Sequence, residues 1–419
     1  LLNVWRMPET LTLAFGLAPP AGSAESSLMS TTIREDVASA LGVPSSRLHV
    51  GAIRSASKHA LHARASAELL IDALSDGSAP LSRTEALVAD LVGPLSESEL
   101  VEAQRLYQQE CGEALSAALS RRLRAGSGPY VLLLRMLTRA ATSQGAPSVD
   151  LLAAAEAACE LRAAAKGMFG VNEEPFVRIF AEASDAQLSA VARAFEEQSQ
   201  SIRSGGGLAQ LVRKRFKVGP LASLLLHRLQ RVESLPAPAR LTNQAKSPVI
   251  TKQVRQLFKA GKDTWGTDED VFIEILGFSD GAQAAALRYE YAMRYGHTLG
   301  SAVRDEMSGD LEALLLAFLA PPPDVPFASV DAVEAQAKRL WDASVGFGTD
   351  EAVWVDVFSQ SGPSQLGVLL EHFARHGIPL PQLIREEFSG DTKNLLLVRC
   401  QWAANKARAA AAAEVAGAT

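Results

Sequence analysis

A mainly α-helical chain of four repeated modules behind a small N-terminal unit is the fold class the sequence predicts, and three observations carry it. First, Trp265-Gly266-Thr267-Asp268-Glu269 returns as Phe347-Gly348-Thr349-Asp350-Glu351. Each phrase is followed at nearly the same distance by a second, Arg304-Asp305-Glu306-Met307-Ser308-Gly309-Asp310 and Arg385-Glu386-Glu387-Phe388-Ser389-Gly390-Asp391. Second, apolar residues recur at i, i+1, i+4, i+5 after Leu81, Phe169, Trp265 and Phe347, the stripe of one buried helical face. Third, 47% of the 419 residues are apolar but only 6% aromatic, which suits alanine-rich helix packing better than a β-sandwich.

Within the third module the pattern predicts five helices, over 249–260, 268–276, 283–295, 299–307 and 311–318. Thr267 is the expected N-cap of the second, with Asp270 in the capping-box position, and Gly309 marks the turn before the last. The inward stripe is Val271, Phe272, Ile275 and Leu276 here, and Val353, Trp354, Val357 and Phe358 in the fourth module. It is Phe176, Ile179 and Phe180 in the second, and Leu87, Val88, Leu91 and Val92 in the first. Ser143–Pro147, Leu235–Pro238 and Pro321–Asp324 read as joints between modules, because proline ends helices sharply.

Residues before the first module follow another pattern. Alternation over 11–17, a helix over 32–41 opened by Thr32 and Glu35, and alternation over 47–53 predict a small β-α-β unit of ferredoxin-like type. The stretch 61–71 fits either a third strand or the first helix of module one, and a helix from about residue 65 is preferred. The expected division is 1–64 for the N-terminal α/β unit, 65–142, 148–235, 246–320 and 328–405 for the modules, and 406–419 for an alanine-rich tail.

A loop with outward carbonyls and one carboxylate returning from a distant helix supplies the oxygen-only set that calcium takes. These two phrases, an apolar residue before Gly-Thr-Asp-Glu and a distant Arg-x-Glu-x-Ser-Gly-Asp, resemble the annexin repeat over about residues 65–405. The resemblance implies four five-helix repeats in a curved array. It implies calcium held by the carbonyls of Lys262, Thr264 and Gly266 with Glu306, and by those of Ser344, Gly346 and Gly348 with Glu387. It further implies that Trp265 and Phe347 tip the loops toward a membrane. The plainer alternative is that Gly-Thr-Asp-Glu only starts a helix, with threonine as cap and acids in the first turn.

The first two modules depart from the pattern. Module two reads Lys166-Gly167-Met168-Phe169-Gly170-Val171-Asn172-Glu173, taken as one residue longer, and its distant phrase is basic: Arg213, Lys214, Arg215 and Lys217. Module one has Ala79-Pro80-Leu81-Ser82-Arg83-Thr84-Glu85 with Arg121, Arg122 and Arg124. Both are expected to have lost calcium. The basic clusters are either solvated faces or attractions for anionic headgroups.

Net charge is −6, so no global basic field exists to hold nucleic acid. Cys111, Cys159 and Cys400 lack metal-ligand spacing and are expected as reduced core thiols. His59 and His62 fit neither a triad nor a zinc helix, and no enzyme is read. No apolar run reaches the length of a membrane span. The expected function is calcium-dependent binding to acidic phospholipid surfaces by a cytoplasmic protein that becomes peripheral on membranes when calcium rises. The alternative is a calcium-independent helical scaffold for a cytoskeletal or signalling protein, with the N-terminal unit as a further protein-binding element.

Overall fold

The computed structural model describes residues 5–6, 11–12, 58–75, 79–123, 128, 131–132, 135–136, 149–167, 170–203, 206–233, 235, 247–262, 268–345 and 348–417. These residues are mainly helical. The chain divides into two compact units, Leu1–Ser143 and Gln144–Thr419.

In the first unit, β1 (Trp5–Arg6) pairs antiparallel with β2 (Leu11–Thr12), Trp5 opposite Thr12. The β-α-β expectation finds no support in this hairpin-like pair, and the readings over 13–17, 32–41 and 47–53 lie outside the described residues. Helix α1 (Lys58–Ser75) crosses the expected boundary at residue 65, so 61–71 is helix and not a third strand. It is followed by α2 (Leu81–Val92), α3 (Glu97–Cys111) and α4 (Leu115–Arg122). Ser96 and Glu99 form a reciprocal capping box that starts α3, and Gly112 at φ 71 ends it. The other Glu99 oxygen lies 3.1 Å from His62 Nδ1, so His62 ties α1 to α3. Leu81 is the first residue of α2 rather than a loop tip. The buried stripe is Thr84, Val88, Ala89 and Val92, while Leu87 is exposed, because the helix starts earlier than the alignment on Leu81 assumed.

The second unit holds three successive groups of five helices among the described residues. The first comprises α5 (Leu151–Ala164), α6 (Glu173–Glu182), α7 (Asp185–Ser201), α8 (Leu208–Arg215) and α9 (Pro220–Glu233). Next come α10 (Pro248–Ala260), α11 (Glu269–Gly277), α12 (Gly281–Tyr295), α13 (Leu299–Glu306) and α14 (Gly309–Leu319). Then follow α15 (Val330–Asp342), α16 (Glu351–Gln360), α17 (Pro363–Arg375), α18 (Leu380–Glu387) and α19 (Gly390–Gly417), the last carrying helix through the alanine-rich stretch. Capping chemistry sets many boundaries: Ser247, Asp280 and Thr298 each accept a backbone N–H of the turn they open, and Gly296 closes α12 at φ 68.

The last two groups share one core, in which Phe272, Ile275, Leu276, Phe318, Trp354, Val357 and Phe358 are buried. Val271 and Val353, the remaining members of the stripe, are only partly buried against it. Helix α14 packs on α16, and α11 on α19. Arg399 of α19 is buried and donates to the carbonyls of Gly277 (3.1 Å) and Ser279 (2.9 Å), capping the end of α11. Its guanidinium lies over Phe318 and Trp402. Burial pushes its pKa down to about 10, still charged at neutral pH. Helix α5 meets α12 through Ala155, Cys159 and Ala292, flanked by a two-pronged ion pair from Arg288 to Glu156 at 2.6 and 2.7 Å. Cys159 and Cys400 are buried, but Cys111 is exposed at the end of α3, so only two of the three thiols are core residues.

Candidate metal centre

The two phrases of each module are brought together at the helix ends. Helix α18 ends on Glu387, and the Thr349 hydroxyl in the loop before α16 donates to its Oε2 at 2.6 Å and to its backbone oxygen at 3.3 Å. Helix α13 likewise ends on Glu306, half-buried. Its side chain lies against Gly261 at the start of the preceding loop: a Cβ there would sit 3.4 Å from Glu306 Cγ and 3.7 Å from Oε1. In both groups the distant carboxylate therefore stands beside its loop.

One backbone bond cinches each loop. Asp268 N–H reaches Ala260 O at 3.2 Å, Asp350 reaches Ala343 O at 2.9 Å, and Asn172 reaches Ala164 O at 3.0 Å. From C-cap to N-cap the loops run Ala165 to Asn172, Gly261 to Asp268 and Ala343 to Asp350, so the second module's loop is not longer than the others. Gly348 at φ 100 makes a turn that L side chains rarely adopt.

Of the residues expected as ligands, Lys262, Ser344, Gly348, Glu306 and Glu387 are described, whereas Thr264, Gly266 and Gly346, with the loop-tip residues Trp265 and Phe347, lie outside the described residues. Lys262 and Ser344 occupy the same turn, their N–H groups bonded to Lys259 O and Trp341 O. The Lys262 ammonium is drawn back over the Phe258 ring at 4.5 Å. Among the described residues no three His, Cys, Asp or Glu side chains converge on a metal position. Each of these two loops has one distant carboxylate beside it, Glu387 or Glu306. An oxygen-only set with a single acid fits a hard cation such as calcium.

The threonine was the residue sequence reasoning misplaced. Asp268 and Asp350, not the threonines, are the N-caps of α11 and α16, and neither helix has a side-chain cap bond, so no capping box forms. The Thr349 hydroxyl is spent on Glu387 instead. Its constant place in the repeated phrase was a signal, but capping and carboxylate binding ask for the same hydroxyl.

The first two modules differ from each other. Helix α2 follows directly on Pro80 with neither glycine of the loop phrase. Arg121 is committed to Glu113 at 2.6 and 2.9 Å, Arg122 is half-buried, and Arg124 lies outside the described residues. In the second module Arg215 stands at the helix end held elsewhere by Glu306 and Glu387.

The annexin family model matches residues 253–318 and 335–398, the segments that carry both carboxylate-bearing loops. Over these two segments the chain belongs to the annexin family. Membership implies calcium-dependent phospholipid binding in general terms. Annexin A5 of Cynops pyrrhogaster is 25% identical over 245 residues, covering 58% of this chain and 69% of that protein. Annexin A13 of Mus musculus is 34% identical over 151 residues, covering 35% of this chain and 47% of that annexin. Among solved structures, annexin III is 22% identical over 84% of this chain and 97% of its own, with a TM-score of 0.23. The calcium-bound structure of alpha-14 giardin is 19% identical over 80% of this chain and 99% of its own, also at 0.23. Among the described residues no helix of this annexin is long and apolar enough to cross a membrane.

Proposed function

We propose that this annexin binds acidic phospholipid surfaces through calcium held in the third and fourth modules. The observation that carries the reading is the pairing of Glu387 with the loop threonine, matched by Glu306 against Gly261. Glu306 would act with the carbonyls of Lys262, Thr264 and Gly266, and Glu387 with those of Ser344, Gly346 and Gly348. A calcium ion held there would supply positive charge for lipid phosphate oxygens to meet. With one carboxylate per loop the expected affinity without lipid is weak, about 10⁻⁴ to 10⁻³ M, and lipid and calcium bind with positive linkage. Trp265 and Phe347 are the residues assigned to the membrane interface.

The test is co-sedimentation of the full chain with phosphatidylserine vesicles in calcium, followed by chelator. Wild-type protein should pellet with calcium and be released by the chelator. The double variant Glu306→Gln, Glu387→Gln should pellet no better with calcium than without, and undiminished calcium-dependent pelleting by that variant would remove the site assignment.

A further inference from the structure

The second module keeps its loop and exchanges the carboxylate for a cation. Its loop is closed by the Asn172 bond as in the other two, and Gly170 at φ 127 holds the place that Gly348 holds at φ 100. A Cβ on Gly167 would collide with the Gly170 carbonyl, so the turn is tight. At the end of α8, Arg215 Nη2 donates to the Gly167 carbonyl at 3.2 Å. A permanently charged guanidinium thus meets a loop carbonyl where the third and fourth modules bring an acid.

Four further cations stand within two residues of Arg215 or of Gly167. Arg213 and Lys214 lie in the last turn of α8, Lys217 just beyond, and Lys166 in the loop, all exposed. Among the described residues none of the five forms an ion pair, unlike Arg121 with Glu113 or Arg178 with Glu160. Where the third and fourth modules have Ser-Gly-Asp after the helix, this one has Lys217-Val218-Gly219. Val218 is 105% exposed, an apolar tip next to Lys217 and three residues beyond Arg215.

We propose that this face is a calcium-independent contact for an anionic phospholipid surface, in which the cations meet headgroup phosphates and Val218 enters the interface. Val218 selects the source: a soluble phosphate or a nucleic acid would use the cations and leave the apolar tip in water. The whole chain carries a net charge of −6, so the attraction is local to this face. It contributes about fivefold per cation near an anionic leaflet, and salt shortens its reach. The proposal uses no ligand of the calcium reading and stands or falls separately from it.

The experiment is vesicle co-sedimentation of the full chain in chelator, at about 0.05 M and about 0.5 M salt, where the screening length differs about threefold. Wild type should pellet with phosphatidylserine–phosphatidylcholine vesicles at low salt, be released at high salt, and ignore phosphatidylcholine alone. Lys214→Glu with Lys217→Glu should weaken low-salt binding at least about tenfold, and Val218→Ser about threefold. Lys252→Glu with Arg255→Glu, an equal charge change on exposed α10 positions, should leave it unchanged, with thermal unfolding confirming that all variants fold. No chelator-resistant binding, equal loss in the control pair, or displacement by inorganic phosphate or duplex DNA with Val218→Ser unaffected would each overturn the proposal. A calcium-dependent arm that fails while the chelator arm succeeds would overturn only the calcium reading.

Discussion

Replacing Glu387 by glutamine separates the charge at the fourth loop from its architecture. The Thr349 hydroxyl donates to Glu387 Oε2 at 2.6 Å, and a glutamine carbonyl in the same place still accepts that bond, so α18 and the loop stay joined. What disappears is one formal charge beside the loop carbonyls. A divalent ion about 2.4 Å from a carboxylate oxygen gains about 3.5 kcal/mol even in the dielectric of water. Glu387 is half-buried, so screening by water is incomplete. Glutamine keeps a carbonyl dipole and recovers part of this. The expected net loss is about 2–3 kcal/mol, roughly 30- to 150-fold in calcium affinity at that loop. The cleanest assay is a calcium titration of vesicle pelleting in the Glu306→Gln background, where only the fourth loop remains. Unfolding stability should change by no more than about 0.5 kcal/mol. A calcium midpoint that moves less than about twofold in that background would show that Glu387 holds the threonine and not a cation.

Three further outcomes are expected. If Trp265 enters the interface, the difference in emission between wild type and Trp265→Phe should shift to the blue only when calcium and acidic vesicles are both present; an unshifted difference spectrum with vesicles bound would refute insertion. Gly348→Ala meets no atom within 4 Å but forces a side chain to φ 100, so it should cost about 1–3 kcal/mol by backbone strain alone, measured as a lowered thermal midpoint. Burial alone would raise the Asp185 carboxyl, but the Arg231 and Arg228 guanidiniums outweigh it and hold it below its ordinary 3.8. That contribution to stability is present above about pH 4 and is lost as pH falls through the lowered folded value. Asp185→Asn should therefore destabilise at neutral pH and flatten the acid limb of the stability profile, whereas a parallel fall at every pH would refute the linkage.

Several features were legible in the sequence because they are local. The repeated phrases, the i, i+1, i+4, i+5 stripes and the Pro321–Asp324 joint depend on periodicity and backbone chemistry within a few residues, and five helices in the third module followed from them. The same locality explains the errors. Leu87 was assigned inward and Thr267 was made a cap because helix phase and cap identity shift with a single residue at a boundary.

The chain alone determined that Glu306 and Glu387 accompany apolar-Gly-Thr-Asp-Glu loops at nearly the same spacing, and that Arg215 breaks the pattern. Only the tertiary structure decided what those residues touch. Thr349 could serve a helix N–H or a carboxylate, and the choice falls to Glu387 because α18 ends beside the loop. Arg215 could have been a solvated charge, yet the same helix-end geometry places its guanidinium on the Gly167 carbonyl. Arg399, unremarked in the sequence, became a buried cap because α19 packs on α11 of the neighbouring group, a contact between segments 120 or more residues apart. Spacing specifies which partners recur, but the direction of a hydroxyl or guanidinium is settled by which helix ends packing brings within hydrogen-bond reach.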